Sequence, residues 1–330
     1  MKAWTMMAVL LAGCVSTPEF DPASLVKGPR VLAMVAEPPS VPPGESAKLS
    51  LMHTRFGDLR DYDVRWTACG AFMSDIRGSQ YRDEALDQGC GSAALPLGDG
   101  KAAVLPGEQT AALFENLDTV ATIIGNRLPE KTIERIERQV GLPLLVEVAI
   151  ASDEEVFRAV KRVLVTRGAR HHNPPPPRFA MGDQLVRAAS TTGELEDPFL
   201  CMAEGDEPVR VETGASIVLS PRMGSVADPR DEDDEATDGG DGDERWLEDY
   251  QVLNARGELE MRTERAFYSW FVTGGELEED VTKSPLRDNE WRTPGESGCH
   301  EMWLVVRDGH GGTSACRVPV IVGSMEEGCP

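Results

Sequence analysis

Two ten-residue stretches constrain this chain more than any other feature. Val41-Pro-Pro-Gly-Glu-Ser-Ala-Lys-Leu-Ser50 and Val211-Glu-Thr-Gly-Ala-Ser-Ile-Val-Leu-Ser220 share Val, Gly, Ser, Leu and Ser at the same spacing. Further along, Trp66-Thr-Ala-Cys-Gly70 matches Trp270-Phe-Val-Thr-Gly274, with Val64 and Tyr268 two residues ahead of each tryptophan. Near the end of each half, Arg162-Val-Leu-Val165 matches Arg317-Val-Pro-Val320. Three matches in the same order imply two copies of one folding unit.

The unit is built of strands. Arg30–Glu37 and Ala47–Met52 are apolar or alternating runs separated by the punctuation Pro38-Pro-Ser-Val-Pro-Pro-Gly44. Tyr62, Val64 and Trp66 share one face at period two, the pattern of a half-buried strand. Leu144–Ile150 with Val156–Thr166 predicts a closing hairpin for the first copy. Met302–Arg307, the turn Asp308-Gly-His-Gly-Gly312 and Ala315–Val322 predict one for the second. The expected class is therefore all-β, with two β-sandwich domains at 30–170 and 179–323. His171-His-Asn-Pro-Pro-Pro-Pro-Arg178 reads as a semi-rigid linker, 171–178, between them. Residues 324–330 are left as a tail.

Unequal spacing within the repeat locates two insertions. The step from Gly214 to Trp270 is longer than that from Gly44 to Trp66, and much of the excess is the acidic tract 228–244, expected to be a solvated loop. The first copy carries a small helical insertion at about 107–141. There Pro129 suits a first turn, Ile133, Ile136 and Val140 form one apolar stripe, Glu134 and Arg138 pair at i, i+4, and Gly141 supplies a stop.

The N-terminus gives an address. Lys2 is followed by the short apolar run Ala3–Ala12, too short for the roughly 20 residues that cross a bilayer. Leu11-Ala12-Gly13-Cys14 resembles the lipobox of bacterial lipoproteins. The resemblance implies a signal peptide at 1–13, lipidation of Cys14 and a tether at 14–29. It also implies attachment to the membrane by lipid alone, which holds stably when more than one chain is attached. Val15 and Ser16 follow the cysteine where an Asp would favour inner-membrane retention, so the resemblance points to the outer membrane of a cell envelope.

Six cysteines remain besides Cys14: Cys69, Cys90, Cys201, Cys299, Cys316 and Cys329. An even number in an exported chain suits disulfides, and six allow 15 connectivities. Cys69–Cys90 is the favoured local pair, and the last four are expected to staple the C-terminal half to itself. The formal net charge of −23 argues against nucleic acid and anionic lipid surfaces as partners.

A strand tryptophan, the V-x-x-G-x-S-x-x-L-S stretch and the hairpin Val305-Val-Arg-Asp-Gly-x-Gly-Gly-Thr313 resemble bacterial immunoglobulin-like or PKD-like modules, as found in lipoproteins of myxobacteria and relatives. The resemblance implies two immunoglobulin-like sandwiches. It departs from the PKD pattern at Trp270, which leads into Phe-Val-Thr-Gly-Gly rather than W-x-F-G-D-G.

Catalytic signatures are missing. The chain has no phosphate-binding Gly-rich loop, no G-x-S-x-G elbow and no H-E-x-x-H, and Gly295-Glu-Ser-Gly298 reads as a turn. His171-His172 reads as solvated linker, because adjacent histidines on an extended chain point apart. Cys299, His300, His310 and Cys316 lack zinc spacing and are read through disulfides. Asp238, Asp241, Asp243 and Glu244 are candidate Ca²⁺ donors, but without EF-hand order they imply only diffuse ion binding. Trp66 and Trp270 are expected in the core, and Trp291 as the more exposed aromatic. The expectation is thus a non-enzyme: a lipid-anchored envelope binding or scaffold protein with an envelope protein or glycan as partner and no cofactor. Two alternatives stand beside it, a Ca²⁺-dependent adhesion or matrix protein using the acidic loop, and an enzyme with a site assembled from loops.

Overall fold

The computed structural model describes residues 22–54, 62–70, 95–115, 135–152, 155–189, 197–223, 246–254 and 258–324. The first half contains β1 (Arg30–Glu37), β2 (Ser40–Val41), β3 (Ala47–Thr54), β4 (Asp63–Gly70), β5 (Leu95–Asp99), β6 (Ala102–Leu105), β7 (Leu142–Ala151) and β8 (Val156–Val165). One sheet has the order β1-β3-β6, and a second has the order β2-β8-β7-β4-β5. Period-two alternation explains the core between them. Ala47, Leu49 and Leu51 of β3 face Val64, Trp66 and Ala68 of β4, with Val146, Val148 and Ile150 of β7. Burying Trp66 also requires a partner for its indole N–H, which donates to the Gly100 carbonyl at 2.8 Å.

The second half contains β9 (Phe179–Met181), β10 (Gln184–Ala188), β11 (Cys201–Met202), β12 (Val209–Val211), β13 (Ser216–Pro221), β14 (Asp249–Leu253) and β15 (Leu259–Thr263). It continues with β16 (Phe267–Val272), β17 (Glu276–Leu277), β18 (Val281–Lys283), β19 (Asn289–Arg292), β20 (Gly298–Arg307) and β21 (Thr313–Val322). Its sheets have the orders β11-β10-β9-β13-β19-β17 and β12-β21-β20-β16-β18. Both halves share a signature: an early short strand leaves the first sheet and pairs in parallel with the last strand of the other. This is β2 with β8, and β12 with β21. The strand order defines two immunoglobulin-like β-sandwiches.

The repeat holds at the level of register. Val41 faces Val165 and Val211 faces Val322, while Gly44 and Gly214 follow at φ of 92° and 65° in the turn to the next strand. Trp66 and Trp270 occupy β4 and β16, opposite Val148 and Leu304. The third match slips by two residues. Counted from Val165 and Val322, Arg162 corresponds to Pro319 and not to Arg317. A strand that reads Val-x-Val is self-similar at steps of two, so a slip of two keeps every side chain on its face.

Both insertions contain more order than their composition implies. Helix α1 (Gly107–Glu115) falls within the expected insertion and seats its first turn on the Gly44 turn. A Cβ at Gly107 would lie 2.1 Å from the Gly44 carbonyl oxygen, so only glycine permits this approach. Thr110 completes the joint, its hydroxyl accepting from the Gly44 N–H at 3.0 Å. Pro129, Ile133 and Glu134 lie outside the described residues, whereas Ile136–Val140 forms a short π-helical turn that Gly141 ends at φ 82°. In the second sandwich the acidic tract 228–244 lies outside the described residues, and it is followed by the hairpin β14–β15, which the sequence reading does not contain. Its Leu253 packs against the core of the first sandwich.

The two sandwiches meet through a third apolar cluster. Leu32, Ala33 and Met52 of the first pack with Trp303, Val305 and Ala315 of the second, and Val26 joins them. Arg307 crosses the same seam and donates to the Leu32 carbonyl at 3.2 Å. Two segments expected to be free are held here. Ser24 and Val26, in the expected 14–29 tether, are buried, and Leu25 bridges in parallel to Val272. In the 171–178 linker, His171, Pro174 and Pro177 are buried. Trp291 corrects the sequence reading: it is 1% exposed, and its N–H donates to the Gly274 carbonyl at 3.1 Å. It sits on β19 facing the second core, a position that its sequence neighbours Arg292-Thr-Pro294 do not reveal.

Candidate functional site

The junction gathers titratable groups from four segments. His171 and His172 come from the linker, Glu248 from the residue before β14, Glu264 from the residue after β15, and Asp308 and His310 from the turn between β20 and β21. Antiparallel pairing of the hairpin brings its two ends together, so Glu264 N–H donates to the Glu248 carbonyl at 2.9 Å. Glu248 N–H in turn donates to Glu264 Oε2 at 3.0 Å, which fixes that carboxyl group. Ser40 pins the linker. Its Oγ accepts from His171 N–H at 2.7 Å and its hydroxyl donates to the His171 carbonyl at 3.4 Å.

His171 Nδ1 lies 3.2 Å from Glu248 Oε2 and 3.9 Å from Glu264 Oε1. His172 Nδ1 lies 2.7 Å from Glu248 Oε1. Rings close the other side: His310 stacks on Tyr250 at 3.8 Å between centroids and meets His171 edge-on at 4.5 Å. Asp308 shapes the turn, its Oδ1 accepting from the N–H groups of His310 at 2.6 Å, Gly311 at 2.9 Å and Gly312 at 3.0 Å.

Burial sets the electrostatics. It pushes the Glu264 carboxyl up to about 8, reinforced by the charges of Asp308 and Glu248 and opposed by the Glu248 N–H. It pulls His310 down to about 3, with the neighbouring His171 and Arg162 adding to the effect. Burial also raises Asp308, against its backbone hydrogen bonds and the nearby Lys161. Glu264 Oε1 is buried without a hydrogen-bond partner.

Most residues singled out from sequence lie elsewhere. Cys14, Cys90, Cys329, Asp238, Asp241, Asp243 and Glu244 are outside the described residues. Cys201 and Cys316 form a disulfide with Cα atoms 5.7 Å apart, joining β11 to β21. Cys69 and Cys299 are disulfide-bonded as well, while the proposed Cys69–Cys90 pairing involves a residue outside the described set. The sequence reads His171 and His172 as solvated linker and His310 as a residue without zinc spacing, yet these three converge. Nothing in the sequence singles out Glu264, since Glu258–Arg265 reads as a charged surface run. A cleft of about 280 Å³ lined by Arg222, Leu286, Arg287 and Asp288 lies away from this cluster and contains no histidine or cysteine.

No family model matches the chain, and no curated protein matches it. Among solved structures it is similar to the D0–D1 domain of intimin, at 9% identity over 89% of this chain and 99% of that one, with a TM-score of 0.19. It is also similar to the two tandem V-type regions of VCBP3, a v-region-containing chitin binding protein, at 11% identity over 89% and 100% with a TM-score of 0.24. A third is Sidekick-1 immunoglobulin domains 1–4, at 8% identity and a TM-score of 0.19, of which this chain spans about half (49%). The class is defined by the strand order rather than by these superpositions. Tandem immunoglobulin-like sandwiches stapled by a disulfide suit an oxidising, extracytoplasmic compartment. No helix among the described residues is long and apolar enough to cross a membrane.

Proposed function

We propose that the chain is a non-catalytic binding or scaffold protein of the cell envelope, anchored through lipid on Cys14. It presents the loops of two coupled sandwiches to an envelope protein or glycan. The observation that carries this reading is the apolar seam of Leu32, Met52, Trp303 and Val305, which couples the sandwiches into one presenting unit. A presenting surface benefits from such coupling, because loops held in fixed relative positions lose less entropy on binding. The lipobox-like Leu11-Ala-Gly-Cys14 supplies the anchor, and the acidic surface keeps the body away from anionic headgroups.

Two measurements test it. Cys14→Ala should move the protein from the membrane fraction to the soluble fraction and abolish acyl labelling; a variant that still labels contradicts the anchor. Cross-linking the anchored protein in its own membranes should then capture a defined envelope component. Capture of nothing beyond what a loop-scrambled control captures contradicts the binding role.

A further inference from the structure

We propose that His171, Glu248 and Glu264 form a binding site for one divalent transition-metal ion of the zinc type, which clips the linker to the β14–β15 hairpin. The proposal does not depend on the binding or scaffold reading. Donor atoms of the three residues all lie within 4.8 Å of one another. A tetrahedral ion with bonds of about 2.0–2.1 Å holds its ligand atoms about 3.3 Å apart. The separations of 3.2 and 3.9 Å from His171 Nδ1 to the two carboxylates are already close to that spacing.

Glu264 provides the second, independent observation. Its side chain is 1% exposed, and Oε1 faces His171 Nδ1 without a hydrogen-bond partner. A buried carboxyl oxygen with nothing to accept is costly, and a cation is the partner that would satisfy it. The carboxyl group is held in place by its other oxygen, which accepts from Glu248 N–H. His171 is held through its backbone by Ser40, and its ring is walled by His310. Such supporting contacts fix ligand orientation in metal sites.

The donor set selects the ion. One imidazole nitrogen and two carboxylates suit zinc and its neighbours, whereas Ca²⁺ takes six to eight oxygens and Mg²⁺ a near-octahedral oxygen shell. Three protein ligands leave a coordination position for water or for a group from a partner. Ser40 belongs to the first sandwich and the hairpin to the second, so the ion would tie the two together.

The test uses the full-length chain stripped with EDTA and titrated with Zn²⁺ by calorimetry, with Co²⁺ absorption as a coordination readout. One saturable Zn²⁺ site is expected, weakened at least tenfold in Glu264→Gln and in His171→Gln, with loss of the intense Co²⁺ visible bands. Far-UV circular dichroism in EDTA establishes that each variant is folded; Glu264→Asp, which keeps the charge but shortens the reach, should also weaken binding. A variant with Asp238, Asp241 and Asp243 changed to Asn and Glu244 to Gln should bind Zn²⁺ as the parent does. No saturable binding in the parent overturns the proposal. So does equal affinity in Glu264→Gln and His171→Gln, or loss of the site in the acidic-tract variant alone.

Discussion

Lys161, in the last strand of the first sandwich, donates to Thr313 Oγ1 at 2.8 Å and to the Gly311 carbonyl in the closing hairpin of the second. The ammonium is almost fully buried, and that burial, opposed in part by Asp308, pulls it down to about 8. Between about pH 8 and 10.5 the unfolded chain holds a proton that the folded chain has released, so stability rises with pH across this window. The gain is bounded at about 3 kcal/mol. Lys161→Met should remove it. Urea midpoints from pH 7.5 to 10.5 check this, and parallel profiles for parent and variant would contradict it.

The Cys201–Cys316 bridge closes a loop with a sequence separation of 115. Converting both residues to alanine should destabilise the second sandwich by roughly 2–5 kcal/mol. Chemical denaturation followed by tryptophan fluorescence measures the loss. A change below 1 kcal/mol would mean that the ordering of β11 against β21 does not depend on the bridge.

Trp303 is fully buried in the seam, on the face of β20 that points away from its own core. Trp303→Ala should cost about 3–5 kcal/mol in coupling between the sandwiches. The expected signature is a single unfolding transition that splits into two, with a larger radius of gyration by small-angle scattering. A single transition merely shifted to lower denaturant would place the tryptophan's role within one domain.

Gly107→Ala should loosen the first sandwich, since its Cβ would meet backbone, the Gly44 carbonyl oxygen, which cannot swing aside like a side chain. The expected cost is about 1–3 kcal/mol, the range for forced overpacking. Amide exchange over residues 107–115 should rise above that of the core strands. Protection equal to the parent's would show that the turn at Gly44 yields.

Reading the sequence alone recovers the class because the fold is written locally. Alternation at Tyr62, Val64 and Trp66, and the glycine turns before β3 and β13, are visible within ten residues. The junction cluster is not written locally. Glu264 sits among Glu258, Glu260, Arg262 and Arg265, and it is buried at the junction against His171 and Glu248 while those charged neighbours stay exposed. His171 follows the same logic: the expected divergence of adjacent histidines does not occur, because both Nδ1 atoms lie on the Glu248 carboxylate, at 3.2 and 2.7 Å, and His171 is pinned by a serine 131 residues away. Trp291 failed as an exposed aromatic for a related reason, since exposure is decided by the facing sheet.

The docked N-terminal segment changes how the molecule would carry load. Val26 N–H donates to the Val272 carbonyl at 2.8 Å, and Val272 N–H donates to the Ser24 carbonyl at 2.9 Å. A pull on residue 22 therefore enters the second sandwich before it reaches β1 of the first. Residues 24–26 grip the farther domain, so tension applied at residue 22 draws on both sandwiches at their seam instead of unravelling them in sequence order.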